Sequence, residues 1–426
     1  MTRTRSSSEI RDASRREIVR ALVVQGTATR TELAHTTGLS AATVSNLVAE
    51  LREAGFIADA GTDSAGTGRP TTVLRIDGEG GSFLGIDLAE TYVRAVVFDA
   101  AVTEIGAANV EIDEEWVSID SVADALLRAV DLALERGGRA PSDILGVGLG
   151  LPGLLSTDRT GTVARPGWAA HVRRLEDRVR PRLPGPLVTA NPLQAVGHSE
   201  IWFGAARGRS SAVVVNLGTG VGAGIIVEGR VLRGATHTAG EWGHTVLELD
   251  GRLCCCGRRG CVEAYVGVPG IRHTLSEVDP DHALLQLHQR EFIEGLRDAV
   301  GDPPVAETLA RTARYLGIAL SDIVAVLNPE VMTLTGWTAW ALGDALLPAA
   351  RIALAERAPE LTAARLDLGV SPVQVNSVAT GMAVLAFENH LDSSALARRV
   401  RSRPGPRVEP PGPPPTASSA PQPVAG

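Results

Sequence analysis

The chain has 426 residues, 44% hydrophobic and 21% charged, the make-up of a water-soluble globular protein of about two or three domains. No stretch supplies the roughly 18 uninterrupted apolar residues of a membrane helix, and the basic opening MTRTRSSSEIRDASRR is not followed by the apolar core of a secretory signal. The expectation is a cytoplasmic protein with no membrane partner. The formal charge of −8 is unevenly spread: residues 1–76 carry ten Arg against eight Asp and Glu, a net +2 that leaves −10 for the remainder. That balance permits nucleic-acid binding at the N-terminal end without requiring it.

Residues 9–57 are helical in pattern, with Ile18, Ala21, Leu22, Leu33, Val44, Leu47, Val48 and Leu51 recurring at three-to-four spacing. Within them, TRTELAHTTGLSAATVSNLVAELREAGFI reads as a helix-turn-helix: a short helix over Thr31–Thr36, Gly38 as the left-handed turn residue, Ser40 as cap, and a second helix over about Ala41–Ala54. With Val44, Leu47, Val48 and Leu51 buried, that helix presents Ala42, Thr43, Ser45 and Asn46, together with Ser40, as short groups able to approach base edges. FIADA and TTVLRID read as paired strands around GTDSAGTGRP, a wing with Arg69 near its tip, suited to a narrow minor groove or a phosphate. Helix-turn-helix geometry also occurs outside DNA readers; the turn spacing, the small-residue face and the Arg-tipped wing together favour double-stranded DNA. Residues 9–77 are thus expected to form a winged helix-turn-helix domain.

From Phe83 to about Asn389, short β-like runs alternate with helical stretches, the signature of an α/β domain spanning about 82–390. FLGIDLAETYVRAVVFDA and AVVVNLGTGVGAGIIVEG each read as strand, tight turn, strand, about 130 residues apart. Such a repeat points to two lobes with a cleft between them, although β-hairpins are common in any α/β protein. The last stretch, RSRPGPRVEPPGPPPTASSAPQPVAG, holds nine of the 25 prolines, and residues 398–426 are expected to be a disordered tail.

All four cysteines lie between Cys254 and Cys261, in AGEWGHTVLELDGRLCCCGRRGCVEAY. A disulfide framework would spread them along the chain, so one cluster points to metal in a reducing compartment. His244, Cys254, Cys256 and Cys261 form a His-x9-Cys-x-Cys-x4-Cys set suited to one tetrahedral zinc ion. Gly257 and Gly260 let the chain turn tightly around it, and Cys255, between two ligands, is expected to point away. Four protein ligands leave no place for water, so this zinc is structural. Glu241 and Glu263 flank the knot. Buried carboxylates that do not bind metal need hydroxyls or cations, and with Asn191 these two would line a sugar site. His244, bound to metal through one nitrogen, would donate to a sugar hydroxyl from the other. As solvent-facing carboxylates they would need no such role.

In these residues the chain resembles the ROK family (repressors, open reading frames and sugar kinases). The resemblance rests on LGTGVGAGIIVEGRVLRGATHTAGEWGH, CCCGRRGCVEAY, GLGLPGLLS and the preceding winged helix, and covers about Ile10 to Asn389. It implies an actin-like, ribonuclease-H-like two-lobed fold, a homodimer or homotetramer, and sugar contacts at Asn191, Glu241, His244 and Glu263. It also implies zinc ligands at His244, Cys254, Cys256 and Cys261, and places the loop at 151–156 near the sugar. The winged helix marks the transcription-factor branch. Family kinases, however, read Glu-Asn-Asp-Ala where this chain reads Ala190-Asn191-Pro192-Leu193. Their Asp takes the proton from the attacking sugar hydroxyl; proline has no group that can. Their first phosphate turn, Asp-x-Gly-Gly-Thr, is here Asp87–Thr91, DLAET, where Glu90 would repel ATP, and Trp337 replaces a glycine of the adenosine stretch.

The leading expectation is therefore a DNA-binding regulator, most simply a repressor. Its affinity for a palindromic operator would respond to a sugar or sugar phosphate in the cleft, and it would have no catalytic residues. Two other readings stay open: a bifunctional sugar kinase using His198 as an unusual base, and a regulator controlled by a protein partner, such as a phosphotransferase component, docking near the zinc knot.

Overall fold

The computed structural model describes residues 6–63, 71–89, 91–112, 119–151, 168–373, 376–392 and 396. The expected wing tip with Arg69, Glu90, positions 152–156 of the family loop and the tail 398–426 lie outside them.

The N-terminal unit runs α1 (Ser7–Gln25), β1 (Thr27–Thr29), α2 (Arg30–Thr37), α3 (Ala41–Glu53), β2 (Ile57–Asp63) and β3 (Thr71–Ile76). Local chemistry sets the helix starts. Ser6 with Glu9, and Thr29 with Glu32, form capping boxes in which each side chain satisfies the other residue's main-chain N–H. Gly38 ends α2 in the left-handed conformation, and Ser40 caps α3. Both expected helices are present to within a residue. The strand β1, too short to carry a periodic signal, was not expected; it pairs antiparallel with β3, giving the wing a sheet ordered β1-β3-β2.

The rest of the chain builds two five-stranded sheets with one topology. The first, β6-β5-β4-β7-β8, comprises β4 (Ser82–Leu88), β5 (Tyr92–Asp99), β6 (Glu104–Glu111), β7 (Ile144–Gly150) and β8 (Leu187–Ala190). The second, β11-β10-β9-β12-β13, comprises β9 (Ser211–Leu217), β10 (Val221–Val227), β11 (Arg230–Val231), β12 (Val331–Thr335) and β13 (Asp367–Val370). In each, an antiparallel hairpin is extended by two parallel strands, and the two hairpins, β4–β5 and β9–β10, are the repeated segments of the sequence. The central strand β4 is buried along its whole length, Ser82 and Asp87 included.

Helices then form layers. α4 (Ile119–Gly137) and α5 (Trp168–Val179) cover the outer face of the first sheet, with Leu84, Ile86, Val93 and Val97 facing α4. The outer face of the second sheet packs on the α7 to α12 set: α7 (Glu263–Val266), α8 (Val268–Val278), α9 (Gln289–Asp298), α10 (Pro303–Leu327), α11 (Trp337–Ala355) and α12 (Glu360–Arg365). Between the sheets lie α6 (Pro192–Phe203) and α13 (Ser377–His390), α6 against β9 and β10, and α13 against β4 and β7. The N-terminal unit does not stand apart: Ile18, Leu22, Leu47, Leu51 and Phe56 share one core with Phe83, Trp202 and Phe387.

The α13 layer packs on bare main chain. A side chain on Gly148 of β7 would lie 2.0 Å from the Met382 carbonyl oxygen. Gly148→Ala is expected to cost about 2–3 kcal/mol in urea unfolding. Gly369→Ala, with nothing within 4 Å of the added carbon, should stay within about 0.5 kcal/mol of the parent.

Candidate functional site

Where β8 ends, the chain turns into α6 through Asn191, and the turn sets up a polar cluster. Asn191 is buried; its Oδ1 accepts from the Leu193 N–H at 2.8 Å, capping α6, while its Nδ2 donates to Glu241 Oε1 at 3.0 Å. Glu241 Oε2 lies 4.0 Å from His244 Nε2, and His244 Nδ1 lies 4.0 Å from Glu263 Oε1. The four residues expected around a sugar are thus brought together, drawn from α6, the short turn Trp242–His244 and α7. Burial raises the Glu241 carboxyl above its ordinary range, against the hydrogen bond from Asn191 and the charge of His244. Glu263 is pushed up to about 7, again chiefly by burial, although Cys255 and the Val221 N–H both donate to it. The Val221 bond (3.0 Å) fastens Glu263 to the Gly-rich turn between β9 and β10.

Pro192 occupies the first position of α6, where its fixed φ suits a helix start and its missing N–H costs nothing. It presents no proton acceptor to the cluster. His198, the alternative base, sits nearly two turns further along α6, with Nδ1 3.4 Å from Glu388 on α13. On the first hairpin, Asp87 is buried and accepts from the Tyr92 hydroxyl at 3.1 Å. On the second, the indole of Trp337 lies against the Gly218 turn, its Nε1 3.1 Å from where a Cβ on Gly218 would be. The Arg290 guanidinium lies 5.9 Å from the same ring. One face of the Gly-rich turn therefore carries an indole.

His244, Cys254, Cys256 and Cys261 place their donor atoms within 4.8 Å of one another. The separations of Cys256 Sγ from Cys261 Sγ and of Cys254 Sγ from His244 Nδ1 are both 3.7 Å, matching the roughly 3.8 Å edge of a tetrahedron with zinc–sulfur bonds of about 2.3 Å. Gly260, at φ 77°, makes the return possible; a side chain there would meet the Glu248 carbonyl oxygen at 1.7 Å. The four groups are shifted unevenly: Cys254 is lowered to about 2, first by the thiol of Cys255 and also by His244, which is itself raised to about 9, first by Cys254, whereas burial first and then Cys256 push Cys261 up to about 12. The residues fit a zinc ion. Cys255, expected to point away, lies outside this group of four; its thiol donates to Glu263 Oε1 at 3.0 Å.

On α3, Ala42, Ser45 and Asn46 are exposed on the face opposite Val44, Leu47, Val48 and Leu51. Ser40 and the half-buried Thr43 serve first as a cap: the Thr43 N–H donates to Ser40 Oγ at 3.1 Å and the two hydroxyls lie 2.8 Å apart. Residue-by-residue reading of the sequence missed Arg15 and Glu50. Arg15 falls on the apolar stripe of α1 with Ile18, Val19 and Leu22, an odd place for a cation, and that was the available signal.

The fold is a two-sheet α/β body carrying a winged helix-turn-helix unit. The chain belongs to the ROK family, whose model matches residues 83–388, and residues 11–58 match a winged helix-turn-helix DNA-binding model. It is 26% identical over 373 residues to the xylose repressor of Caldicellulosiruptor bescii, covering 85% of this chain and 92% of that one. It is 30% identical over 288 residues to the glucokinase of Halalkalibacterium halodurans, covering 62% of this chain and 82% of that one. A solved ROK family transcriptional regulator, described as a homolog of the E. coli MLC protein, superposes with a TM-score of 0.68 at 23% identity, over 91% of this chain and 99% of that one, a likeness of fold.

Asp87 offers a test of the altered first hairpin. Its carboxyl is raised from 3.8 to about 6 by burial, so the folded chain holds that proton more tightly than the unfolded chain does. Stability should therefore fall as pH rises from about 4 to about 6. Asp87→Asn should flatten that slope and stabilise the chain at pH 7 by up to roughly 3 kcal/mol. Urea unfolding across that range measures it, and parallel slopes in the two proteins would contradict the assignment.

Proposed function

We propose that this chain is a DNA-binding transcriptional repressor whose operator affinity changes when a sugar or sugar phosphate occupies the cluster at the head of α6, and that it has no sugar kinase activity. One observation carries the reading: a winged helix shares its core with a ROK body in which Asn191, Glu241, His244 and Glu263 are grouped, while the adjoining position for a proton acceptor is Pro192. The xylose repressor similarity, which runs through both modules, supports it.

Each part has a physical role. Ala42, Ser45 and Asn46, with Ser40 and Thr43 at the start of α3 and Arg69 on the wing, would contact the operator, and a two-fold dimer or tetramer would meet two-fold related half-sites. Asn191 and Glu241 would exchange their mutual hydrogen bond, and Glu263 those it accepts from Val221 and Cys255, for bonds to sugar hydroxyls. The zinc, held by His244, Cys254, Cys256 and Cys261, supplies cross-linking that fixes the knot and the tautomer of His244. On the nucleotide side, three features oppose ATP: the DLAET turn, Asp87 engaged with Tyr92, and Trp337 against the Gly218 turn.

A second reading, control by a protein partner at the zinc knot, draws on the exposed apolar side chains of Val246, Leu249 and Leu253 (55%, 85% and 65% exposed). Operator binding untouched by any sugar would favour it.

Fluorescence anisotropy on duplex DNA from the protein's own upstream region, at fixed salt, tests the main reading. D-xylose, D-glucose, amino sugars and their phosphates are the effectors to add. One of them is expected to shift the midpoint by about tenfold, and Asn46→Ala is expected to weaken operator binding by about tenfold or more. With Mg²⁺ and ATP, sugar phosphorylation is expected to stay at background, in Pro192→Asp as well, because the nucleotide side remains altered; robust turnover would refute the proposal. Metal analysis should find one zinc per chain, and Cys256→Ser should lose it and lower the melting temperature.

A further inference from the structure

Arg15 and Glu388 belong neither to the exposed face of α3 nor to the polar cluster, yet each ties together helices that lead to one of them. Arg15 is fully buried. Its guanidinium donates to Asp12 on its own helix at 2.8 Å, to Glu50 on α3 at 2.5 Å, and to the main-chain carbonyl of Leu391, just past the end of α13. Beside it, Arg16 pairs with Asp392 at 2.8 Å, and Arg11 holds the other carboxylate oxygen of Glu50 at 2.8 Å. A guanidinium removed from water stays in place only where charged acceptors surround it, so the last turn of α13 is clamped to α1 and through it to α3.

The same turn is held from the opposite side by α6. Trp202 Nε1 donates to Glu388 Oε1 at 3.0 Å, and His198 Nδ1 lies 3.4 Å from Glu388 Oε2. Rings run in parallel with these bonds: Phe387 is centred 6.1 Å from Trp202, 4.6 Å from Phe83 and 5.6 Å from Phe56, which follows α3. The helix α6 is 12 residues long, about 18 Å. Its head carries the Asn191–Glu241 bond and its tail the Trp202–Glu388 bond.

We infer that the turn Phe387–Asp392 is the joint between the polar cluster and the DNA-reading helix, with Glu388 and Arg15 as its two positioning residues. A shift of α6 moves Trp202 and His198, which carry Glu388. The displaced end of α13 moves the Leu391 carbonyl and Asp392, and Arg15 hands that movement to Glu50 on α3. Close packing on both sides leaves the turn no room to absorb a displacement, so it passes one on. That a sugar is what shifts α6 rests on the function proposed above; the mechanical link from α6 to α3 does not.

The test uses the full-length chain, Glu388→Gln and Arg15→Leu, each checked for a cooperative melt. Backbone amide hydrogen exchange is read without sugar or DNA, and operator anisotropy is read with and without D-xylose and D-glucose. Glu388→Gln is expected to speed exchange over residues 41–53 by about threefold or more, although the substitution lies on the side of α13 facing α6. Arg15→Leu should do the same and should reduce a sugar-induced change in operator affinity from about tenfold to below about twofold. If Arg15→Leu does not fold, Glu388→Gln decides the matter alone. Exchange changes confined to α6 and α13, with residues 41–53 as in the parent, would overturn the joint and leave Glu388 a local packing role. Operator binding indifferent to every sugar in the parent protein would instead remove the sugar reading, while the exchange result still decides the joint.

Discussion

Helices α6 and α13 meet through their main chains: a side chain on Gly381 would come within 1.8 Å of the Ala195 carbonyl oxygen. Much of the molecule depends on that contact. It lets two helices stand side by side between two sheets, each touching a different one, so that both hairpins converge on a single line of contact. A larger residue at Gly381 would drive the helices apart and with them the two sheets. The apolar character of both helices follows, since neither has a face that meets water along most of its length.

The same arrangement gives α6 two kinds of end. Its N-terminal end is polar because four groups from distant parts of the chain converge there. Its C-terminal end is aromatic because it meets α13 and the N-terminal unit. Pro192 suits the first of these ends as a helix starter. Trp337 fills the space beside the Gly218 turn with an indole.

Much of this was legible in the sequence. Capping residues, apolar spacing and Gly38 located α2 and α3 to within a residue, because helix ends are set by neighbours along the chain. The His-Cys spacing identified the four donors that the fold gathers, because three of them lie within eight consecutive positions and the geometry of so short a loop is nearly fixed. The hairpin repeat was visible as two similar strings, and the shared sheet order is its three-dimensional form. The cap bond between Ser40 and Thr43 shows the limit of reading helix faces: spacing assigns a side chain to a face, and a nearby hydrogen-bond partner then claims its polar group.

The sequence by itself determined the local elements, the four His and Cys positions of the knot and Pro192 as the starter of α6, because each depends on residue chemistry and short-range geometry. Only the tertiary structure decided that Asn191, Glu241, His244 and Glu263 adjoin one another, that Cys255 turns to Glu263, that Trp337 lies on the Gly218 turn and that the N-terminal unit shares a core with α13. Arg15 and Leu391 are 376 positions apart, and Trp202 and Glu388 are 186. Contacts at such separations leave no periodic trace, since they arise from how finished layers stack rather than from any repeat along the chain.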